Sequence, residues 1–391
     1  MKKIGITSYW CSSSNYGQIL QGVALQSVLR KLGCCPCTIA YDMDAPEQSD
    51  HSKIDKFRLL LLGEVSIARR IIRKIKYLLS SNKINKRREK CDFSKRGFDE
   101  FKNKYLKMSI GQYKTCQEVA DSHEFEDYYA FITGSDQVWH EASGPKRRKY
   151  LLLEFAKENQ KRISYAASFG RNKIIPIGER NEYKRELKRF SSVSVRELSG
   201  VKICKSLGVK ASCELDPTLL LSKDEWFSHC NMEIPARNAK TAFFYTLSAN
   251  NEIVVRIKEL LQSLGYKCIY VCSDEFHEDA NANCEATIEK WLQYIALSSI
   301  VVTTSYHGTI FSINFNTPVL SIAKNGDIHN GSNQRMFSVM SKLGILDSLI
   351  AKYDENAIKK VINQKIDWDS VNNVIAQERE KSTFYLQNAL K

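Results

Sequence analysis

Short apolar runs, each ending in small polar residues, alternate with longer segments of helical period along most of the chain. The first run contains Ile4-Gly5-Ile6 and predicts a strand from Lys3 to Thr7. Leu20, Val23, Ala24, Val28, Leu29 and Leu32 follow at helical spacing. They predict a helix from Gln18 to Leu32, closed by Gly33. Cys37 to Tyr41, Ala130 to Thr133, Arg162 to Ala167 and Ser192 to Val195 read as further strands. A second round begins near Ala242. Its strands are Ala242 to Leu247, Lys267 to Cys272, Ile300 to Thr304 and Val319 to Ile322, with helices at Asn251 to Leu264 and Ile288 to Leu297. Strands alternating with helices predict parallel α/β sheets. The polar stretch Ser222 to Lys240, with Pro235, reads as the join. The expected fold is two facing Rossmann-like domains, 1–225 and 238–365, the first with a basic helical insertion at about 53–106. A last helix within 366–391 is expected to pack back on the first domain.

Composition narrows this picture. A length of 391 residues favours two domains, and 43% hydrophobic content can fill two cores. The net charge of +14 calls for an anionic partner: nucleic acid, a phosphorylated substrate or an acidic membrane surface. Much of that charge lies between 66 and 106, where Arg69-Arg70, Arg73-Lys74, Lys86-Arg87-Arg88 and Lys95-Arg96 interleave with Ile67, Ile71, Ile72 and Ile75. The stretch reads as a solvated helix on the sheet edge or as a peripheral anchor on an anionic bilayer. No recognised nucleic-acid module accompanies it, so nucleic acid is not an expected partner. Twelve scattered cysteines and no visible secretory signal predict free thiols in the cytoplasm. Cys34-Cys35-Pro36-Cys37 holds one C-x-x-C, and Cys268 with Cys272 has the wrong gap for a second pair, so no metal site is expected. No segment approaches the roughly 20 apolar residues of a membrane span.

The candidate chemistry lies at the carboxyl ends of strands, where open α/β sheets bind ligands. Thr303-Thr304-Ser305-Tyr306-His307-Gly308-Thr309 follows an apolar strand and opens a helix. A helix N-terminus there is an anion site, and a histidine beside it can move protons near neutral pH. Ser12-Ser13-Ser14-Asn15-Tyr16-Gly17-Gln18 opens the first helix, with Asn15 as a cap and Gly17 allowing close approach. Gly134-Ser135-Asp136-Gln137-Val138-Trp139 ends another strand. Asp136 can accept a sugar hydroxyl or cap a helix, while Trp139 packs in the core. Arg196 can enter the cleft as a fork for carboxylate or phosphate, or pair with Glu197 or Asp216. Asp216-Pro217-Thr218 reads as a turn. Arg335, in the polar tract Gly331 to Arg335, can swing onto an anion.

These motifs, in order, resemble the polysaccharide pyruvyltransferase family. The resemblance rests on Asn15-Tyr16-Gly17 before Ala24-Leu25-Gln26, on Gly134 to Trp139, and on Ser164 to Gly170. It continues through Ser194 to Glu197, Asp216 to Thr218, Ser305 to Thr309 and Asn333 to Arg335. It implies a fold like that of the GT-B glycosyltransferases. The implied reaction moves pyruvate from phosphoenolpyruvate to two hydroxyls of one sugar, as a cyclic ketal on a surface-glycan precursor. Phosphoenolpyruvate is then a co-substrate, and no cofactor or metal is expected. The acceptor is a glycan or lipid-linked saccharide, reached from the cytoplasmic face of the membrane. Within that reading His307 is the expected acid/base, and Arg196 holds the donor with Arg335, Ser305, Gly308 and Thr309. Asn15, Tyr16, Gly17, Asp136 and Gln137 are placed on the acceptor side. Ser305 stands where members of the family carry a donor-binding arginine. Two other readings stay open. One is a nucleotide-sugar glycosyltransferase of similar fold, using Glu285 or Glu289. The other is a non-catalytic scaffold of glycan assembly.

Overall fold

The computed structural model describes residues 1–43, 45, 93–140, 144–172, 175, 177–247, 251–273 and 285–391. The strands are β1 (Lys3–Thr7), β2 (Cys35–Tyr41), β3 (Met108–Tyr113), β4 (Ala130–Thr133), β5 (Lys161–Ser164) and β6 (Ser194–Val195). They continue with β7 (Ser212–Cys213), β8 (Thr241–Thr246), β9 (Lys267–Cys272), β10 (Ile300–Thr303), β11 (Val319–Ile322) and β12 (Leu349–Ile350). Two five-stranded parallel sheets result, in the orders β3-β2-β1-β4-β5 and β12-β11-β10-β8-β9. Single bridges from Ile163 to Ser192 and from Ala167 to Val195 attach the short β6-β7 pair to the first sheet. The central strands β4, β8 and β10 are buried along their whole length, because helices cover both faces of a parallel sheet.

Both sheets reverse their strand order once. In the first half the chain moves one way from β1 to β2 and the other way to β4. In the second half β8 is flanked by β9 on one side and β10 on the other. Each reversal opens a crevice at the carboxyl ends of two strands, and the two crevices face one another. The architecture is therefore α/β with two Rossmann-like halves.

The halves share a continuous apolar core beneath that cleft. Tyr16, at the start of the helix Tyr16–Lys31, stacks on Trp291 of the second half at 5.3 Å and 9°. Its hydroxyl donates to the Ala286 carbonyl (2.6 Å). Such an aromatic pair contributes about 0.5–1.5 kcal/mol beyond its buried area. Asn314 donates across the join to the Leu221 carbonyl (2.9 Å). The helix Trp368–Ala389 returns to the first half: Ser382 accepts from the Leu215 amide (3.0 Å), and the Tyr385 hydroxyl donates to the Ser164 carbonyl (2.8 Å).

Strand β3 has no counterpart in the hydrophobic pattern. It is an edge strand whose Ile110 is 96% exposed, so no apolar run marks it. The predicted strand at Ser192 to Val195 shortens to two residues. Of the basic stretch expected as a helical insertion, residues 53–92 lie outside the described residues. Phe93–Arg96 forms a single turn and Phe98–Tyr105 a helix. Arg96 is fully buried, lies over the Phe93 ring (4.5 Å) and donates to the Ser273 carbonyl. No helix among the described residues is long and apolar enough to cross a membrane.

Candidate active site

Two helices begin at the facing crevices. Asn15 caps the helix Tyr16–Lys31, its side chain accepting from the Gln18 amide (3.3 Å). Ser305 caps the helix Tyr306–Asn314 in the same way, through the Gly308 amide (3.3 Å). Neither first turn carries an acidic residue, so both positive helix ends are left to the cleft. The ends touch: a Cβ at Gly17 would lie 2.1 Å from the His307 ring, so only glycine lets the imidazole seat there. Gly308 is required for a similar reason, since a Cβ would meet Thr303 Oγ1 at 2.4 Å.

Asp216 is the hub of the site. Its Oδ1 accepts from the Thr218 amide (3.0 Å) and hydroxyl (2.7 Å), which holds the short turn Pro217–Leu219. Its Oδ2 accepts from Arg196 Nη1 (2.5 Å) and Ser135 Oγ (2.9 Å), and faces His307 Nε2 at 3.6 Å. That last separation is longer than a normal hydrogen bond. Asp136 forms the second carboxylate. It accepts from Gln18 Nε2 (3.0 Å) and Arg196 Nη2 (3.3 Å), and lies 3.6 Å from Arg335 Nη1. Its φ of 79° is uncommon outside glycine, and Asp is among the residues that tolerate it. The guanidiniums of Arg196 and Arg335 lie over the Tyr306 ring, at 4.5 and 5.2 Å.

Burial and charge oppose each other throughout this cluster. Burial pushes the Asp216 carboxyl up, but contact with His307 and the Arg196 charge outweigh it and hold the group well below the usual carboxylate range. Asp136 is lowered for similar reasons: burial raises it, and Arg196, His307 and Arg335 more than compensate. Arg196 is raised, since Asp216 and other neighbours outweigh its own desolvation. Arg335 is lowered, by burial first and then by the neighbouring Arg196 charge. Burial pushes Glu197 up, only partly offset by the two arginines.

Three atoms in the cluster are left over. Arg196 Nε, Arg335 Nε and His307 Nε2 are buried without a hydrogen-bond partner. Buried polar atoms are nearly always paired, so the two arginine Nε groups beside one tyrosine ring, with His307 Nε2 facing only Asp216 at 3.6 Å, make this cluster the candidate site. Asn333 supports this arrangement from behind. Its amide spans the preceding loop, donating to the carbonyls of Lys324 (2.9 Å) and Asp327 (2.7 Å), and so fixes the start of the helix that bears Arg335.

The structure thus gathers His307, Arg196, Arg335 and Asp136 within one cluster. Ser305 and Gly308 lie beneath it as cap and close contact. Thr309 turns inward, donating to the Ser305 carbonyl (3.0 Å) and sharing a hydrogen bond with Ser321 (2.7 Å). Tyr16 is fully buried in the join, and Gln137 packs against Gly170. Asp136 caps no helix, whereas Trp139 is buried beside Phe169. Arg196 pairs with Asp216 and Asp136; Glu197 instead accepts from Ser168 Oγ and the Phe169 amide, each at 3.0 Å. Asp216 fills both roles that the sequence offers it, as a turn residue and as a partner of Arg196, whereas no role was assigned there to Ser135, Gln18 or Tyr306. An acidic residue before proline at the end of a short strand was the available signal for Asp216. Among the described residues no group of His, Cys, Asp and Glu is placed to hold a metal ion.

The structure of UDP-GlcNAc 2-epimerase from Methanocaldococcus jannaschii is similar, with TM-score 0.51 and 10% identity over 93% of this chain and 94% of that one. The corresponding enzyme from Neisseria meningitidis, bound to UDP-GlcNAc, aligns at TM-score 0.49 and 10% identity over 97% and 100%. AviGT4, a glycosyltransferase involved in avilamycin A biosynthesis, aligns at TM-score 0.48 and 9% identity over 100% and 98%. At such identities the likeness concerns the fold alone. No curated protein matches the chain in sequence. The profile of polysaccharide pyruvyl transferase matches residues 15–325, which include Asn15, Asp136, Arg196, Asp216 and His307. The chain belongs to the polysaccharide pyruvyl transferase family of enzymes.

Proposed function

We propose that the protein transfers pyruvate from phosphoenolpyruvate to two hydroxyls of one sugar in a surface-glycan precursor, forming a cyclic ketal. The observation that carries this reading is the set of orphaned groups: two cationic N–H donors and one imidazole nitrogen, all buried around Tyr306. A small polyanion would satisfy both donors. An imidazole beside it can transfer a proton.

The donor's carboxylate and phosphate lie against Arg196 Nε and Arg335 Nε, next to the start of the helix Tyr306–Asn314. Protonated His307 gives its proton to the methylene carbon, which becomes the methyl group. The positive charge left on the adjacent carbon is taken up by the first sugar hydroxyl. Phosphate leaves with the bridging oxygen, and the second hydroxyl closes the ring. Of the two hydroxyl protons, one replaces the proton given by His307 and the other leaves with phosphate. The net change is donor plus diol to ketal plus inorganic phosphate. Asp216 holds Arg196 in place and faces the imidazole during these steps. We place the reaction at the cytoplasmic face of a membrane, on the strength of the basic run between 66 and 106. Stronger co-sedimentation with anionic than with neutral vesicles, lost on adding salt, checks that location.

The deciding experiment incubates the protein with phosphoenolpyruvate and a panel of lipid-linked glycans. Phosphate release together with a product heavier by one pyruvate ketal is the expected result. Transfer of a sugar from a nucleotide sugar, with no phosphate released from phosphoenolpyruvate, would place the protein with the glycosyltransferases instead.

A further inference from the structure

A cavity of about 600 Å³ opens between the helices Leu198–Ser206 and Gln334–Lys342, one from each half. Its inner wall is formed by Arg196, Asp216 and Tyr306, so it adjoins the catalytic cluster. The size is in the roughly 300–1,000 Å³ range of small-molecule sites, and far exceeds the needs of a three-carbon phosphate. Farther out, the lining is apolar at Leu198 and Phe337, with hydroxyls at Ser199 and Ser338. The Ser199 hydroxyl is buried and has no partner. Leu198 is 57% exposed at this wall.

Among the described residues, several other contacts around the cluster are tight. The imidazole of His307 is pressed onto Gly17, with no room for a methyl group between the two helix ends. Gln18 is bonded to Asp136. The Gly331 backbone lies against Arg171 and Asn172, where a Cβ would come within 2.9 Å. Tyr16, expected beside the acceptor, is sealed in the join.

We infer that this cavity is the acceptor subsite, taking a hexose ring whose apolar face lies against Leu198 and Phe337 and whose hydroxyls bond to Ser199 and Ser338. The inference rests on the pyruvyl-transfer reading for the identity of the reaction, and on the cavity alone for the place of the sugar. A sugar seated there presents its inner edge to the space over Tyr306, where the orphaned arginine N–H groups would hold the donor. The rest of the glycan leaves past Leu198 into solvent.

The test uses the full chain with Ser338→Trp, which fills the cavity, and Leu198→Arg, an exposed change at its wall that leaves folding intact. Val255→Trp, on the distant helix Glu252–Ser263, is the control. Saturation-transfer NMR with the methyl glycosides of glucose, galactose and mannose reads sugar binding without turnover. At least one hexoside is expected to bind the wild type and the control, and to lose its signal in both cavity variants. Phosphoenolpyruvate should shift the melting temperature equally in all four proteins. With the glycan that the transfer assay identifies, the acceptor KM should rise at least tenfold in both variants, the donor KM staying unchanged. Equal hexoside signals in wild type and cavity variants, or no hexoside binding at all, overturns the subsite. Hexoside binding lost in the variants, with no pyruvyl transfer by the wild type, upholds the subsite and overturns the reaction.

Discussion

Arg196 and Arg335 rest on the same tyrosine ring, yet they are held differently. Arg196, from the end of β6, is 4% exposed and gives both terminal nitrogens to carboxylates, at 2.5 and 3.3 Å. Arg335, from the first turn of a helix in the other half, has a carboxylate only at 3.6 Å. Asp136 faces both, but Asp216 bonds Arg196 alone of the two. The first arginine is thus an internal counter-charge that fixes two buried acids. The second is less firmly paired, and on the proposed reading it is the cation that answers the donor. A binding site needs both kinds, one to keep the geometry and one to answer the ligand.

The harshest way to break this comparison is Arg196→Ala. It leaves two buried carboxylates short of charge, and stability is expected to fall by about 3–5 kcal/mol in denaturant unfolding. Equal unfolding midpoints for Arg196→Ala and Arg335→Ala would erase the distinction drawn between the arginines. His307→Ala removes the imidazole that faces Asp216. Turnover should fall roughly 10²–10⁴-fold with the circular dichroism spectrum intact, and retention of most activity removes His307 from the chemistry. Arg335→Ala sharpens the comparison from the other side. Donor KM should rise about 10–100-fold, the worth of one or two charge-assisted hydrogen bonds, with little change in melting temperature. A large loss of stability with an unchanged KM would assign Arg335 the structural role instead. The smallest effect is expected at Glu197, whose carboxyl is pushed up by burial. Above its unfolded pKa of about 4.3 the folded state resists losing that proton, so stability falls as pH rises toward the folded pKa. Glu197→Gln should therefore raise the melting temperature at pH 7 and match the wild type below about pH 4. Asp216, held low, acts with the opposite sign: its contribution is complete above about pH 4 and is lost as pH falls further.

Much of the fold was legible beforehand. Ala130 to Thr133 and Val319 to Ile322 were placed as strands with the observed limits, because a strand buried on both faces must be apolar throughout. Asn15 announces a helix start through a local side-chain bond that needs no distant partner. Strand β3 was missed because an edge strand with one exposed face carries no such run. The site was legible in part. Asp136, Arg196, His307 and Arg335 were marked as polar tips at strand ends or in the loop beyond the last strand. Asp216 reads as a turn residue and as one of two partners for Arg196: its Oδ1 holds the local turn and its Oδ2 the arginine, but nothing in the sequence chooses it over Glu197.

The sequence by itself determined the alternation of strand and helix, the parallel sheets and the helix caps. All of these follow from periods of two and 3.6 residues and from bonds between near neighbours. Only the tertiary structure decided which acid holds which arginine, and which nitrogens are left without a hydrogen-bond partner. Those pairs join residues 20 to 199 positions apart, across two sheets. Their strength depends on how completely water is excluded from the place where the halves meet, which no local pattern encodes.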